Sequence, residues 1–258
     1  MYIDSHCHIL DERLNAEEEI ARMPEDGLAA LVEHGFDLNS SRRASALAQA
    51  HERVYCAVGC HPEEADSFDA AQEEEYLALC ALSKTVAVGE IGLDYCYEIA
   101  SRARQKQVFI AQLELAHRAG KPVDLHIRDA YGDAFDILRE CRELLGNGVL
   151  LHCYGGSAEM VERFLQFDAY FAFGGVITFK NAKKDEVVRR VPLDRLLLET
   201  DCPYMTPVPF RGKVNRPAYV KYVAQKAGEI LGMSAEEAGR LTAENAMRYY
   251  RITDIAAR

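Results

Sequence analysis

Apolar, β-friendly runs of strand length return along this chain at intervals that leave room for a helix between them. Candidate strands lie at residues 2–8, 28–38 in part, 54–59, 85–90, 122–127, 148–153, 169–177 and 195–201. Between most of them apolar residues recur at helical spacing, as with Val108, Leu115 and Ala119 in the segment 104–119. Gly120 and Pro122 close that helix, and Gly146 and Gly148 close the next around Asn147. Residues 28–38 read equally well as a short helix followed by a strand. Eight strand–helix units in 258 residues fit an α/β fold of the TIM-type (β/α)8 barrel class better than an open doubly wound sheet. Helices at roughly 216–231, 234–241 and 242–250 then form an outer cover. Without a long linker, low-complexity tract or repeat, residues 1–258 are expected to form one domain.

Composition bounds the class. Hydrophobic residues at 49% and charged residues at 28% are ordinary for a soluble globular chain. The longest apolar runs are strand-length, so no membrane span is expected. The segment MYIDSHCHI lacks the basic-then-apolar pattern of a secretory signal. Eight scattered cysteines without a C-x-x-C pair read as reduced thiols, and together these features predict a cytoplasmic protein. The formal net charge of −11 argues against coating nucleic acid through a general basic surface. It leaves room for a local phosphate site, and nothing calls for an obligate protein partner.

The candidate chemistry sits at strand ends, where barrels of this class keep their active sites. In LLLETDCPYM an apolar run leads into Glu199 and Asp201 before Pro203. Two acids there suit either a strand running out into solvent or a pair of site carboxylates. Strand alternation puts Leu197, Glu199 and Asp201 on one face. In YIDSHCHI the same alternation aims His6 and His8 at one face, so two imidazoles can reach one ion. Glu90 follows the apolar run TVAV between Gly89 and Gly92, and a buried carboxylate there is costly without a metal or proton. Gly89 and Gly92 permit a close backbone approach. His126 in KPVDLHIRDA and His152 in NGVLLHCYGG repeat the placement, and His61 lies beyond the third strand before Pro62. A single histidine at any of these places reads as a hydrogen-bonded core residue; the repetition argues otherwise.

His6, His8, Glu90, His126, His152 and Asp201 are more donors than one tetrahedral ion takes. They suit two divalent ions sharing a carboxylate, which lower the pKa of bound water towards 7. Zinc, manganese, cobalt and magnesium all accept such ligands. Arg128, and Arg211 and Lys213 in the RGKVNRP loop, are candidate phosphate contacts.

YIDSHCH, GEIGLDY, LHIRDA, LHCYGG, VPLDRLLLETDCPYM and PVPFRGKVNRP resemble, in order and over nearly the whole chain, the TatD-like hydrolases. These are metal-dependent deoxyribonucleases of the amidohydrolase superfamily. The resemblance implies a (β/α)8-type barrel, a divalent-metal site built from the six residues above, and His61 close to the metals or the scissile phosphate. The expected reaction is hydrolysis of a phosphodiester, DNA above all. Glu90 is expected to bridge two ions, Asp201 to orient the attacking water or take its proton, and Glu199 to support a ligand. A hydrolase of a small cyclic amide, lactone or phosphate monoester would use much the same residues.

Overall fold

The computed structural model describes residues 1–97, 99–253 and 255. Eight parallel strands, β1 (Tyr2–Cys7), β2 (Leu28–His34), β3 (Val54–Val58), β4 (Thr85–Asp94), β5 (Val123–Arg128), β6 (Val149–Leu151), β7 (Tyr170–Phe173) and β8 (Leu196–Leu198), pair in chain order. Seven helices join them: α1 (Ala16–Asp26), α2 (Leu38–Ala50), α3 (Ala70–Cys80), α4 (Arg102–Ala119), α5 (Tyr131–Glu140), α6 (Ala158–Phe164) and α7 (Asp185–Arg190). The result is a TIM-type (β/α)8 barrel followed by α8 (Val220–Leu231) and α9 (Ala235–Tyr250).

Both strand faces are buried, which explains why most strands read as unbroken apolar runs. The barrel interior takes small residues such as Ala30, Ala57, Ala87 and Ala172 beside Ile3, Val32, Leu150 and Leu197. The other face packs Leu31, Val58, Val88, Leu125 and Phe171 under the helices. Tyr249 and Tyr250 of α9 join the interior cluster, so the last helix packs against the barrel's inner core.

The seam between β1 and β8 is closed largely by polar groups at the carboxyl ends of the strands. The Asp4 carboxylate accepts from Thr200 N at 2.8 Å and Thr200 Oγ1 at 2.5 Å. Ser5 Oγ donates to Leu198 O at 3.0 Å, Asp201 N to His6 O at 3.0 Å, and His8 N to Cys202 O at 2.9 Å. These bonds draw the H-x-H segment and the E-T-D segment together.

Several sequence expectations need adjusting. Residues 28–34 are strand from the start, and Asp37 then caps α2 through Ser40 N. Residues 235–250 form one helix, not two, and the Thr242 hydroxyl folds back on Ala238 O and Gly239 O within it. Helix α8 starts at Val220 after a 3-10 turn at Pro217–Tyr219. Gly120 does end α4 in the left-handed conformation (φ 67°). Helix α5 stops at Glu140, well before Gly146, and a 3-10 turn follows at Arg142–Leu144. All eight cysteines are free thiols.

The seam makes a stability prediction. Asp4→Ala leaves two buried Thr200 donors without their acceptor, so urea unfolding of the metal-free protein should show a loss of about 2–4 kcal/mol. Asp136→Ala, which breaks an exposed pair with Arg139, should cost no more than about 0.5 kcal/mol.

Candidate metal centre

The six proposed ligands converge at the carboxyl ends of the strands, and irregularities in two strands help to place them. Opposite β2 the register of β1 slips by one residue between Asp4 and Cys7, around His6. Opposite β5 the register of β4 slips between Val88 and Ile91, around Glu90. Such bulges re-aim side chains beside functional sites. Asp201 lies beyond β8, which ends at Leu198, so strand parity does not extend to it. A left-handed residue conformation (φ 52°) turns it inward instead.

Two groups of donor atoms share Glu90. On one side, Glu90 Oε2 lies 3.5 Å from His6 Nε2 and 3.4 Å from His8 Nε2. Those nitrogens are 3.3 Å apart, and Asp201 Oδ1 lies 3.9 and 3.5 Å from them. Donors about 2.0–2.1 Å from a tetrahedral ion stand about 3.3–3.4 Å apart, so this spacing fits one ion. On the other side, Glu90 Oε1 lies 3.1 Å from His126 Nδ1 and 2.8 Å from His152 Nε2, which are 3.1 Å apart. Adjacent donors of an octahedral ion at about 2.0–2.1 Å stand about 2.8–3.0 Å apart, close to this spacing. His6, His8 and Glu90 form one set whose donors lie within 4.8 Å of one another, His6, His152 and Asp201 a second, and His61, Glu90 and His126 a third, so the sets overlap at His6 and Glu90. The donor set therefore fits divalent metal.

Burial would by itself raise the Glu90 carboxyl, but His152, His6 and the hydrogen bond from His126 hold it well below the usual carboxylate range. Burial, then His152 and His34, push His6 well below the ordinary imidazole value and keep it neutral, as a ligand must be. His61 is driven down to about 3, first by burial and then by His126. Its Nδ1 accepts from Glu63 N at 3.2 Å, so its proton sits on Nε2. That tautomer makes His61 a hydrogen-bond donor rather than an Nε2 ligand.

Three of the imidazoles are approached from outside the cluster. Asp94 Oδ2 meets His126 Nε2 at 3.0 Å, and His8 Nδ1 donates to His34 O at 3.0 Å. Glu199, fully buried, accepts from Cys153 N at 2.6 Å and stands 3.7 Å from His152 Nδ1, as expected of a supporting carboxylate. Glu33 fixes the turn after His8 by accepting from Ile9 N at 2.6 Å and Leu10 N at 3.2 Å. Sequence reading missed Asp94 and Glu33. Asp94 was findable, because Glu90, Gly92 and Asp94 share one parity along β4. Gly89 and Gly92 let β4 approach β5 closely. A Cβ on Gly92 (φ 141°) would meet His126 O at 2.1 Å, and one on Gly89 would meet Asp124 Cβ at 2.6 Å.

A cavity of about 1320 Å³ opens above the cluster, and Arg128, Arg211 and Lys213 all line it. Arg128 lies over the exposed Tyr97 ring at 4.7 Å. Arg211 lies over Phe179 at 3.8 Å and donates to Thr206 O. Arg13 and Lys184, not anticipated, line the same cavity.

A parallel barrel with histidines and carboxylates gathered at the carboxyl ends of its strands defines a metal-dependent hydrolase. The family model described as TatD related DNase matches residues 3–251. The chain is 42% identical over 260 residues to the metal-dependent hydrolase YabD of Bacillus subtilis, covering 98% of this chain and 100% of that protein. It is 35% identical over 257 residues to the metal-dependent hydrolase YcfH of Escherichia coli, covering 97% and 96%. The crystal structure of YJJV, a TatD homologue from Escherichia coli, aligns with a TM-score of 0.91 at 30% identity over 98% of each chain. The chain belongs to the TatD family of metal-dependent hydrolases.

Because Glu90 presents one oxygen to each donor group, Glu90→Gln should weaken both equivalents of bound Mn²⁺ in chelator competition. The loss should exceed the roughly 10–100-fold cost of removing an outer partner. His126→Ala should weaken only one equivalent. Loss of a single equivalent in Glu90→Gln would show that the carboxylate serves one ion.

Proposed function

We propose that this protein is a divalent-metal-dependent phosphodiesterase whose substrate is DNA. The observation that carries the reading is the two-sided Glu90 cluster opening into a large cavity lined by Arg13, Arg43, Arg128, Lys184, Arg211 and Lys213. Six cations around one opening of a chain with net charge −11, set among the carboxylates that also line it, suit a polyanion better than a neutral amide or lactone. The description of the matching family as TatD related DNase points the same way.

His6, His8, Glu90 and Asp201 would hold one ion, and Glu90, His126 and His152 the other. When bound, the ions would acidify water and offset charge on the phosphoryl oxygens. Asp201, at the edge of the cluster, orients the nucleophile and takes its proton. The Nε2–H of His61 donates to a non-bridging phosphoryl oxygen. Arg128, Arg211 and Lys213 capture flanking phosphates, the guanidinium groups by bidentate hydrogen bonds.

Purified protein stripped by chelator should lose hydrolysis of DNA and of a small activated diester, and regain both with Mn²⁺, Zn²⁺, Co²⁺ or Mg²⁺. Activity on a monoester or lactone with none on diesters would overturn the reading. Asp201→Asn should reduce turnover about 100-fold or more. Glu199→Gln, which acts only through His152 and Cys153, should cost less. The reverse order would exchange their assigned roles.

Arg211→Ala should raise KM for DNA and lower the slope of log affinity against log salt by about one unit. It should leave the small diester almost unaffected. Equal losses on both substrates would place Arg211 in the chemical step or the fold.

A further inference from the structure

Beneath the metal cluster lies a second buried polar group that the proposed reaction does not use: His34, Asp124 and Tyr250, from β2, β5 and the end of α9. His34 Nε2 lies 2.5 Å from Asp124 Oδ2, and His34 Nδ1 lies 3.1 Å from Val32 O. A carbonyl only accepts, so His34 Nδ1 carries a proton. The Tyr250 hydroxyl reaches both Asp124 Oδ2 at 2.7 Å and Ser5 O at 2.9 Å. His34 and Asp124 are both essentially sealed from solvent, at 1% and 0% exposure.

This group meets two ligands, His8 through the His34 carbonyl at 3.0 Å and His6 through the His34 ring. The His34 ring stacks on His6 with centroids 3.7 Å apart and planes 18° apart. His152 stacks on His6 at 4.0 Å and 10°. Since His6 offers Nε2 to the cluster, its proton belongs on Nδ1. That atom is buried and has no hydrogen-bond partner among the described residues, and the same is true of Asp124 Oδ1. One nitrogen of His6, one of His34 and one carboxylate oxygen of Asp124 lie within 4.8 Å of one another. Of the other imidazole ligands, His126 and His8 have hydrogen-bonded outer partners in Asp94 and the His34 carbonyl, while His152 Nδ1, also without a hydrogen bond, stands 3.7 Å from the Glu199 carboxylate. His6 lacks one unless Asp124 supplies it.

We propose that Asp124, gripped by His34 and Tyr250, is the carboxylate that accepts from His6 Nδ1–H across one water, and with the His34 ring sets the plane and tautomer of this ligand. Asp124 and His34 are then positioning residues for one metal ion. Through Tyr250 the last helix is tied to that ion as well. The inference rests on His6 being a metal ligand, not on which bond the enzyme hydrolyses.

The test therefore uses no substrate. In chelator competition with Mn²⁺, Asp124→Ala should weaken one equivalent by about 10–100-fold, the same one that His8→Ala weakens. The other equivalent should change less than about threefold, and Asp124→Asn, which keeps an acceptor oxygen, should recover most of the loss. Unchanged affinity, or equal loss of both equivalents with no recovery in Asp124→Asn, overturns the proposal. The ¹⁵N imidazole spectrum of the metal-free parent tests it without any substitution: His6 should be protonated at Nδ1. His6 protonated at Nε2, or exchanging between both forms, overturns it even if the alanine variant fails to fold.

Discussion

The Glu90 carboxylate is the interaction on which this molecule turns. It is 5% exposed and has an imidazole donor against each oxygen, His6 and His8 on one and His126 and His152 on the other. A carboxylate in that position is costly unless positive charge or hydrogen-bond donors surround it. The barrel supplies them from β1, β5 and the end of β6. Two register slips and a polar seam are needed to bring these strand ends to the same point. The fold and the site are consequently hard to separate: Asp4 closes the barrel and, in doing so, sets Asp201 beside His8.

The net charge of −11 sits beside a cavity rimmed with cations. Those cations are not loose. Arg211 is held against Phe179 and Thr206 O, Lys184 donates to Gly155 O and Gly156 O, and Arg13 packs over Tyr204 while pairing with Asp11. Side chains fixed in this way lose less freedom on meeting an anion than extended, solvated ones do. An acidic surface with arginines and lysines held in place at one mouth suits capture of a few phosphates at one place, not retention of a long polyanion along the surface.

Sequence made the barrel legible because its strands are buried on both faces and its helices carry their own stops. Asp37 and Ser101 begin helices and Gly120 ends one, each by local chemistry. The six candidate ligands were also legible, since each stands at or just past the end of an apolar run in the sequence. Local reasoning failed where a partner came from far along the chain. Glu33 and His34 look like ordinary strand residues until Ile9 and Asp124 are brought beside them, and Asp124 meets His34 across 90 residues. Strand parity grouped Glu199 with Asp201, yet β8 ends at Leu198. Turn geometry, which alternation does not describe, places the two acids differently: Glu199 behind His152 and Asp201 facing His8. The single helix at Ala235–Tyr250 was split in reading because its apolar spacing weakens near Thr242, where tertiary packing against the barrel decides.

The account stands on Glu90 serving two ions at once. Anomalous scattering from crystals of the protein loaded with Mn²⁺ measures this directly. Two peaks are predicted, one on each side of Glu90: the first among His6, His8 and Asp201, the second beside His126 and His152. A single peak under saturating metal, or two peaks of which only one touches Glu90, would contradict the account.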